Sequence, residues 1–156
     1  MEQAILQGNV QALLDEYKKV ISQLVRVIEG INDSTLPVIV DPLTDDPACK
    51  SIQKILTHVV QAGYNYTVYF ENYIGNKTTF FSLSDYSSVK EYINHLNEMY
   101  IYCENFFKNN PTLNIVEKDT TRKILVRWGQ QYDIEQLMEH AIVHVLRHRR
   151  QIEKYI

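Results

Sequence analysis

The chain reads as an all-α protein, a four-helix bundle with long connections, and three observations predict it. Apolar residues recur at three- and four-residue intervals in four long stretches. Helix-start signals stand ahead of three of them, at Asp46-Pro47, Ser88-Val89-Lys90-Glu91 and Asp133-Ile134-Glu135-Gln136. Helix-stopping signals follow three of them, at Gly30 with Pro37, at Gly75-Asn76 and at Asn109-Asn110-Pro111. With 156 residues the chain, residues 1–156, is expected to form a single domain that buries a substantial core.

The first helix is expected from about Ala4 to Glu29, with Val10, Leu13, Leu14, Tyr17, Ile21, Leu24 and Ile28 on one stripe. The second opens at Asp46-Pro47, an N-cap followed by proline at the first helical position. It buries Ile52, Ile55, Leu56, Val59, Gly63, Tyr66 and Phe70. His58 borders that stripe, on the side of Ile55 and Ala62. The third starts near Ser88 with a capping box and turns Tyr92, Leu96, Met99, Cys103 and Phe106 inward. About twenty residues follow, and a structureless connection of that length is unusual in a compact domain. Asn114 to Lys118 and Lys123 to Arg127 are rich in β-formers and flank Asp119-Thr120-Thr121, so a small β-hairpin is expected there. The fourth helix begins with a capping box at Asp133 and buries Ile134, Leu137, Met138, Ala141, Val145, His148 and Ile152. Long loops before helices two and four predict at least one crossover instead of strict up-down connectivity.

Composition narrows the function. An apolar fraction of 45% and a charged fraction of 22% place the chain among globular proteins. A net charge of -3 leaves no basic surplus to neutralise phosphates, which argues against general nucleic-acid binding. Met1-Glu2-Gln3 is not the start of a signal peptide, and no apolar run is long enough to cross a bilayer. The expected location is cytoplasmic, with no membrane partner. Cys49 and Cys103 form neither a disulfide framework nor a cysteine-rich zinc motif, so both thiols are expected reduced, with Cys103 a small core residue. No Gly-rich phosphate loop and no Gly-x-Ser-x-Gly elbow is present, which argues against a kinase, a nucleotide hydrolase or an α/β-hydrolase.

The chemistry-bearing feature is His140, His144 and His148, four residues apart on the last helix. Residues so spaced lie one turn above each other, and neighbouring imidazoles can converge on one cation. His140 and His148 are separated by roughly 12 Å along the axis. Any helix-four pair therefore uses His144, with either His140 or His148, and the apolar stripe favours His148. His58 can close the site from the second helix. Two neutral imidazoles in a core are costly unless their nitrogens are satisfied, and a metal satisfies both. A lone histidine such as His95 carries no such expectation.

These residues carry a family resemblance. Leu56-Thr57-His58-Val59-Val60, and the run from His144 through His148 to Arg149-Arg150-Gln151, resemble the DinB/YfiT-like superfamily of metal-binding four-helix bundles, which is distinct from the similarly named DNA polymerase. The resemblance covers essentially the whole chain. It implies one divalent metal held by His58, His144 and His148. It also implies a homodimer and a thiol-dependent S-transferase or isomerase that uses a low-molecular-weight thiol on a small-molecule substrate. Arg150 departs from the family pattern, which has glycine there.

Around this centre the roles are less specified. His140 is either a pocket-rim residue or a plain polar helix position, the second preferred. Gln151 lies close to His144 in angle and can orient it or a water, or be a plain exposed residue. Tyr64, Tyr66, Tyr69 and Tyr73 stand on helix two; Tyr69 and Tyr73 continue the His58 side and can line a pocket, while packing against neighbouring helices is the preferred reading for most of the four. Trp128 either covers the pocket mouth or anchors its loop. Glu139 reads as surface charge and Asp133 as an N-cap. Arg147, Arg149 and Arg150 spread around the helix and read as surface charge near a helix C-terminus, with a structural or anion-binding role left open for Arg149. Three neutral ligands leave an open coordination position, the arrangement of a catalytic metal. Imidazole suits zinc, nickel, iron or copper. Three functions follow: a metal-dependent enzyme (transferase, or hydrolase using bound hydroxide), a non-catalytic stress-response or binding module stapled by metal, and an interaction protein with a vestigial site.

Overall fold

A computed structural model describes residues 5–156. Four helices, α1 (Gly8–Ile28), α2 (Ile52–Tyr73), α3 (Val89–Asn109) and α4 (Ile134–Glu153), make up the bundle. A two-stranded antiparallel hairpin, β1 (Ile124–Leu125) and β2 (Gln131–Tyr132), precedes α4. α1 and α2 each pack extensively on α3 and α4. The order around the bundle is therefore α1, α3, α2, α4. Both long connections, 29–51 and 110–133, cross a diagonal, so two crossovers stand where at least one was expected. Among the described residues no helix is long and apolar enough to cross a membrane.

The apolar stripes settle the packing. Every expected inward residue of α2, α3 and α4 is buried, and α1 differs only in adding Val20 and leaving Leu13 at the margin. Gly63 gives the Met99 side chain its place at the α2–α3 contact; a Cβ there would force Met99 to repack. α2 ends in a Schellman turn, with Asn76 N–H donating to Glu71 C=O at 3.0 Å, Gly75 N–H to Asn72 C=O at 3.1 Å and Gly75 at φ +98°.

Three boundaries differ from the sequence expectation. Ala4 lies outside the described residues, and α1 begins at Gly8; residues 5–7 are not helical. Asp46-Pro47 starts a single 3-10 turn over Pro47–Cys49, with the Asp46 carboxylate accepting from Ala48 N–H. The helix proper waits for Ser51, whose Oγ accepts from Lys54 N–H at 3.1 Å. Ser51 is extended and forms a bridge with Ile39, and Val40 N–H donates to Lys50 C=O, so the backbone there is engaged in pairing that a helix would break. The hairpin is present with a different partner strand. β1 pairs with 131–132 instead of 114–118, across a three-residue loop, Arg127–Gly129, whose glycine takes φ +87°. The 114–118 segment is pinned to the start of α4 instead: Ile115 C=O accepts from Glu135 N–H, and Asp133 Oδ2 accepts from Glu117 N–H at 3.1 Å.

The connection from α2 to α3 is held by side-chain amides in place of a strand partner. Gln61 accepts from Leu83 N–H, Asn65 exchanges two hydrogen bonds with the Phe81 backbone, and Asn72 does the same with Thr78. The segment 78–83 therefore runs antiparallel along α2, tied to it at Thr78, Phe81 and Leu83.

Both expected capping boxes form, at Ser88 with Glu91 and at Asp133 with Gln136. Asp133 is buried, and one carboxylate serves both α4 and the Glu117 amide. Replacing an N-cap residue by alanine costs about 0.5–2 kcal/mol, and here a second donor is orphaned. Asp133→Ala should therefore lower stability by about 2 kcal/mol. In a chain of this size that is a melting-temperature drop of roughly 4–8 °C, read by circular dichroism, with Asp133→Asn losing less.

Candidate metal centre

The α2–α4 contact brings the histidines together. His58 sits in the second turn of α2, fixed by the burial of Ile55 and Val59 on either side. His144 and His148 follow one another on α4, with Val145 buried between them. One nitrogen from each of the three rings lies within 4.8 Å of the others. His58 Nε2 and His144 Nε2 are 2.9 Å apart. Ring centroids are separated by 4.8 Å (His58–His144), 5.0 Å (His58–His148) and 4.5 Å (His144–His148).

All three imidazoles are held neutral. Burial, reinforced by His148, His58, His140 and Arg147, pushes His144 down to about 2. Burial is also the main cause at His58, where Arg147 pushes further down and Asp46 opposes. At His148 burial again dominates, opposed by the hydrogen bond to Gln151 and by Asp46. Gln151 Oε1 lies 2.8 Å from His148 Nδ1. A carbonyl oxygen only accepts, so this contact sets the proton on Nδ1 and leaves His148 Nε2 with a free lone pair. Gln151 thus orients His148, not His144 as its helical angle suggested.

The His58–His144 contact is itself informative. Two facing Nε2 atoms need one proton between them, and His144 Nδ1 is buried with no partner. An unpartnered buried polar atom costs on the order of 1–3 kcal/mol. Three clustered neutral imidazoles suit a divalent cation: zinc–imidazole bonds run about 2.0–2.1 Å, and side-chain adjustments on the order of 1 Å bring nitrogens that lie within 4.8 Å of one another onto one ion. His58, His144 and His148 fit the metal that their spacing suggested.

The three rings line a cavity of about 830 Å³. At one end Trp128 stacks on His140, with centroids 5.1 Å apart, and Tyr66 packs edge-on to both His140 and His144. His140 is therefore a wall residue, 6.3 Å from His144 between centroids and outside the ligand group. This corrects the preference for a plain polar position. Trp128 lines the same end. Of the helix-two tyrosines Tyr66 lines the cavity, while Tyr69 and Tyr73 pack against the core as preferred, the Tyr69 hydroxyl accepting from Arg127 N–H. His95 lies elsewhere, stacked on Tyr86 beside Glu98. Glu139 is exposed.

Several lining residues escaped the sequence reading. Asp46 and Cys49 reach the cavity from the 3-10 turn before α2, with the thiol donating to Asp46 Oδ2 at 3.5 Å. Burial, and secondarily Asp46, raises the Cys49 thiol, while Gln151 and Arg147 oppose. It stays protonated at neutral pH. No sequence signal links 46 and 49 to 144–148. Arg147, Arg150 and Lys154 also line the cavity, Arg147 level with the histidines and the other two beyond His148 along α4. Their i, i+3, i+7 spacing places them on one face of α4. Arg149 turns away, donating to Gln23 of α1 and pairing with Glu153 at 3.4 Å, so it is structural.

Fold and site together define a helical bundle with a three-histidine candidate metal centre on the wall of a small-molecule-sized cavity. Compared with family models and with curated proteins, the chain matches none of them, so the geometry of the site carries the functional reading.

Proposed function

We propose that the protein is a metal-dependent enzyme of the DinB/YfiT-like kind, a thiol S-transferase acting on a small electrophile. The observation that carries this reading is the convergence of His58, His144 and His148 within 4.8 Å beside a cavity of about 830 Å³. That volume falls within the ordinary range for small-molecule sites. A divalent ion held there would favour the thiolate form of a thiol that enters the cavity.

The chain's own residues prepare that role. Burial keeps the ligand nitrogens unprotonated, Gln151 fixes the His148 ring, and Trp128 and Tyr66 give a substrate an apolar surface. The thiol comes from outside in this reading, because Cys49 is protonated and engaged with Asp46. With three protein ligands the ion would keep a position for it.

The test gives metal-loaded protein a chromogenic electrophile with and without cysteine-derived thiols. Turnover should require both thiol and metal, and His144→Ala should abolish it. Turnover without thiol points to a hydrolase. No turnover, together with a large stability loss on chelation, points to a metal-stapled module.

A further inference from the structure

The cavity is polarised along α4. Trp128, Tyr66 and His140 gather towards the start of α4, the histidine group follows, Arg147 stands level with it, and Arg150 and Lys154 lie beyond it. The chain as a whole carries -3, yet this wall presents three cations against one carboxylate, Asp46.

None of the three cations has an ion-pair partner among the described residues, whereas Arg149 on the same helix is paired with Glu153 and bonded to Gln23. Complementing a helix C-terminus accounts for basic residues at the helix end, and Arg150 in the last turn and Lys154 at the C-cap occupy such positions, whereas Arg147 lies a turn earlier. That role does not account for three cations on the cavity face. Arg147 is close enough for its charge to act on His58, His144 and His148 alike.

We propose that Arg147, Arg150 and Lys154 form a subsite for an anionic group, carboxylate or phosphate, and that the cavity takes a small amphipathic anion whose apolar end rests on Trp128 and Tyr66. Guanidinium groups grip such anions through paired N–H donors. A helix rises about 1.5 Å per residue, which sets Arg147 level with His144 and His148 and carries Arg150 and Lys154 roughly 3–9 Å beyond His148. A cavity of about 830 Å³ is too large for an inorganic ion alone and suits a small organic molecule. The subsite rests on the proposed function only for where the reacting atom lies. Anion binding itself needs no metal.

Trp128 is the chain's single tryptophan and stands in the cavity, so intrinsic fluorescence reports on this site. The full-length protein is titrated with 3-phenylpropionate, its neutral amide, phenyl phosphate and inorganic phosphate, in EDTA and again with added zinc. In EDTA at least one aromatic anion should bind about tenfold or more tighter than the amide. Arg147→Gln/Arg150→Gln should erase that preference and keep the wild-type circular dichroism spectrum. The two aromatic anions distinguish carboxylate from phosphate recognition. Equal affinity for anion and amide, a preference that survives the double substitution, no saturable signal from any anion, or a preference seen only with zinc each overturn the subsite. The zinc-only result means the anion ligates the metal directly. Because the EDTA arm decides the question, a failed metal centre and a failed anion subsite give different results.

Discussion

Protein purified without chelator should carry close to one divalent ion per chain, and His144→Ala should carry almost none. His144 is the hub of the group. Its Nε2 is 2.9 Å from His58 Nε2, and its ring is the nearest neighbour of His148. Removing it leaves two imidazoles on different helices, without the ring that links them. His58→Ala and His148→Ala should lose metal as well. His140→Ala should keep it, because His140 lies outside the group that shares a centre. A ligand that binds only the native state at about a thousand times its Kd stabilises by about 4 kcal/mol. Chelation should therefore lower the melting temperature of the wild type by roughly 10 °C and leave that of His144→Ala almost unchanged. Elemental analysis and paired thermal melts with and without EDTA read both effects. Full metal occupancy in His144→Ala, or its loss in His140→Ala, would sink the assignment.

In the presence of chelator, stability should fall as the pH drops below about 6.5, the ordinary histidine value. The folded His144 is pushed down to about 2, below its unfolded value. Between the two values the unfolded chain binds the extra proton, so the stabilisation is complete above the unfolded pKa and is lost progressively toward the folded one. His144 alone should cost about 2 kcal/mol at pH 5. His58, His148 and His140 are lowered too and add with the same sign. Urea unfolding at pH 7 and pH 5 measures the loss, and His144→Leu should show a smaller one. An equal loss in His144→Leu would place the acid sensitivity elsewhere. In metal-loaded protein the same acid range should release the ion, because protons and metal compete for the same nitrogens.

Much of this was legible before folding. The α4 stripe from Ile134 to Ile152 is buried as its period required, and His148 is a buried member of it. The Asp133 and Ser88 boxes are local codes, read within four residues. The errors share a different cause. Asp46-Pro47 is a sound helix start whose helix is interrupted by the Ile39–Ser51 bridge, a pairing twelve residues apart. Segment 114–118 has strand-like composition, but α4's first turn claims its hydrogen bonds. Tyr66, expected in the buried stripe, also reaches the cavity, because its ring meets His140 and His144 across the α2–α4 contact.

Local spacing settles four amphipathic helices, the Ser88 and Asp133 capping boxes and the candidate histidines, because periodicity and capping depend on residues three or four apart. Only the tertiary structure decided that His58 meets His144 across the α2–α4 contact, that Gln151 serves His148, and that Asp46, Cys49, Trp128 and the Arg147–Arg150–Lys154 face share one cavity. Those neighbours lie on separate segments or compete for the same space. Which of them meet depends on how two crossover connections close the bundle.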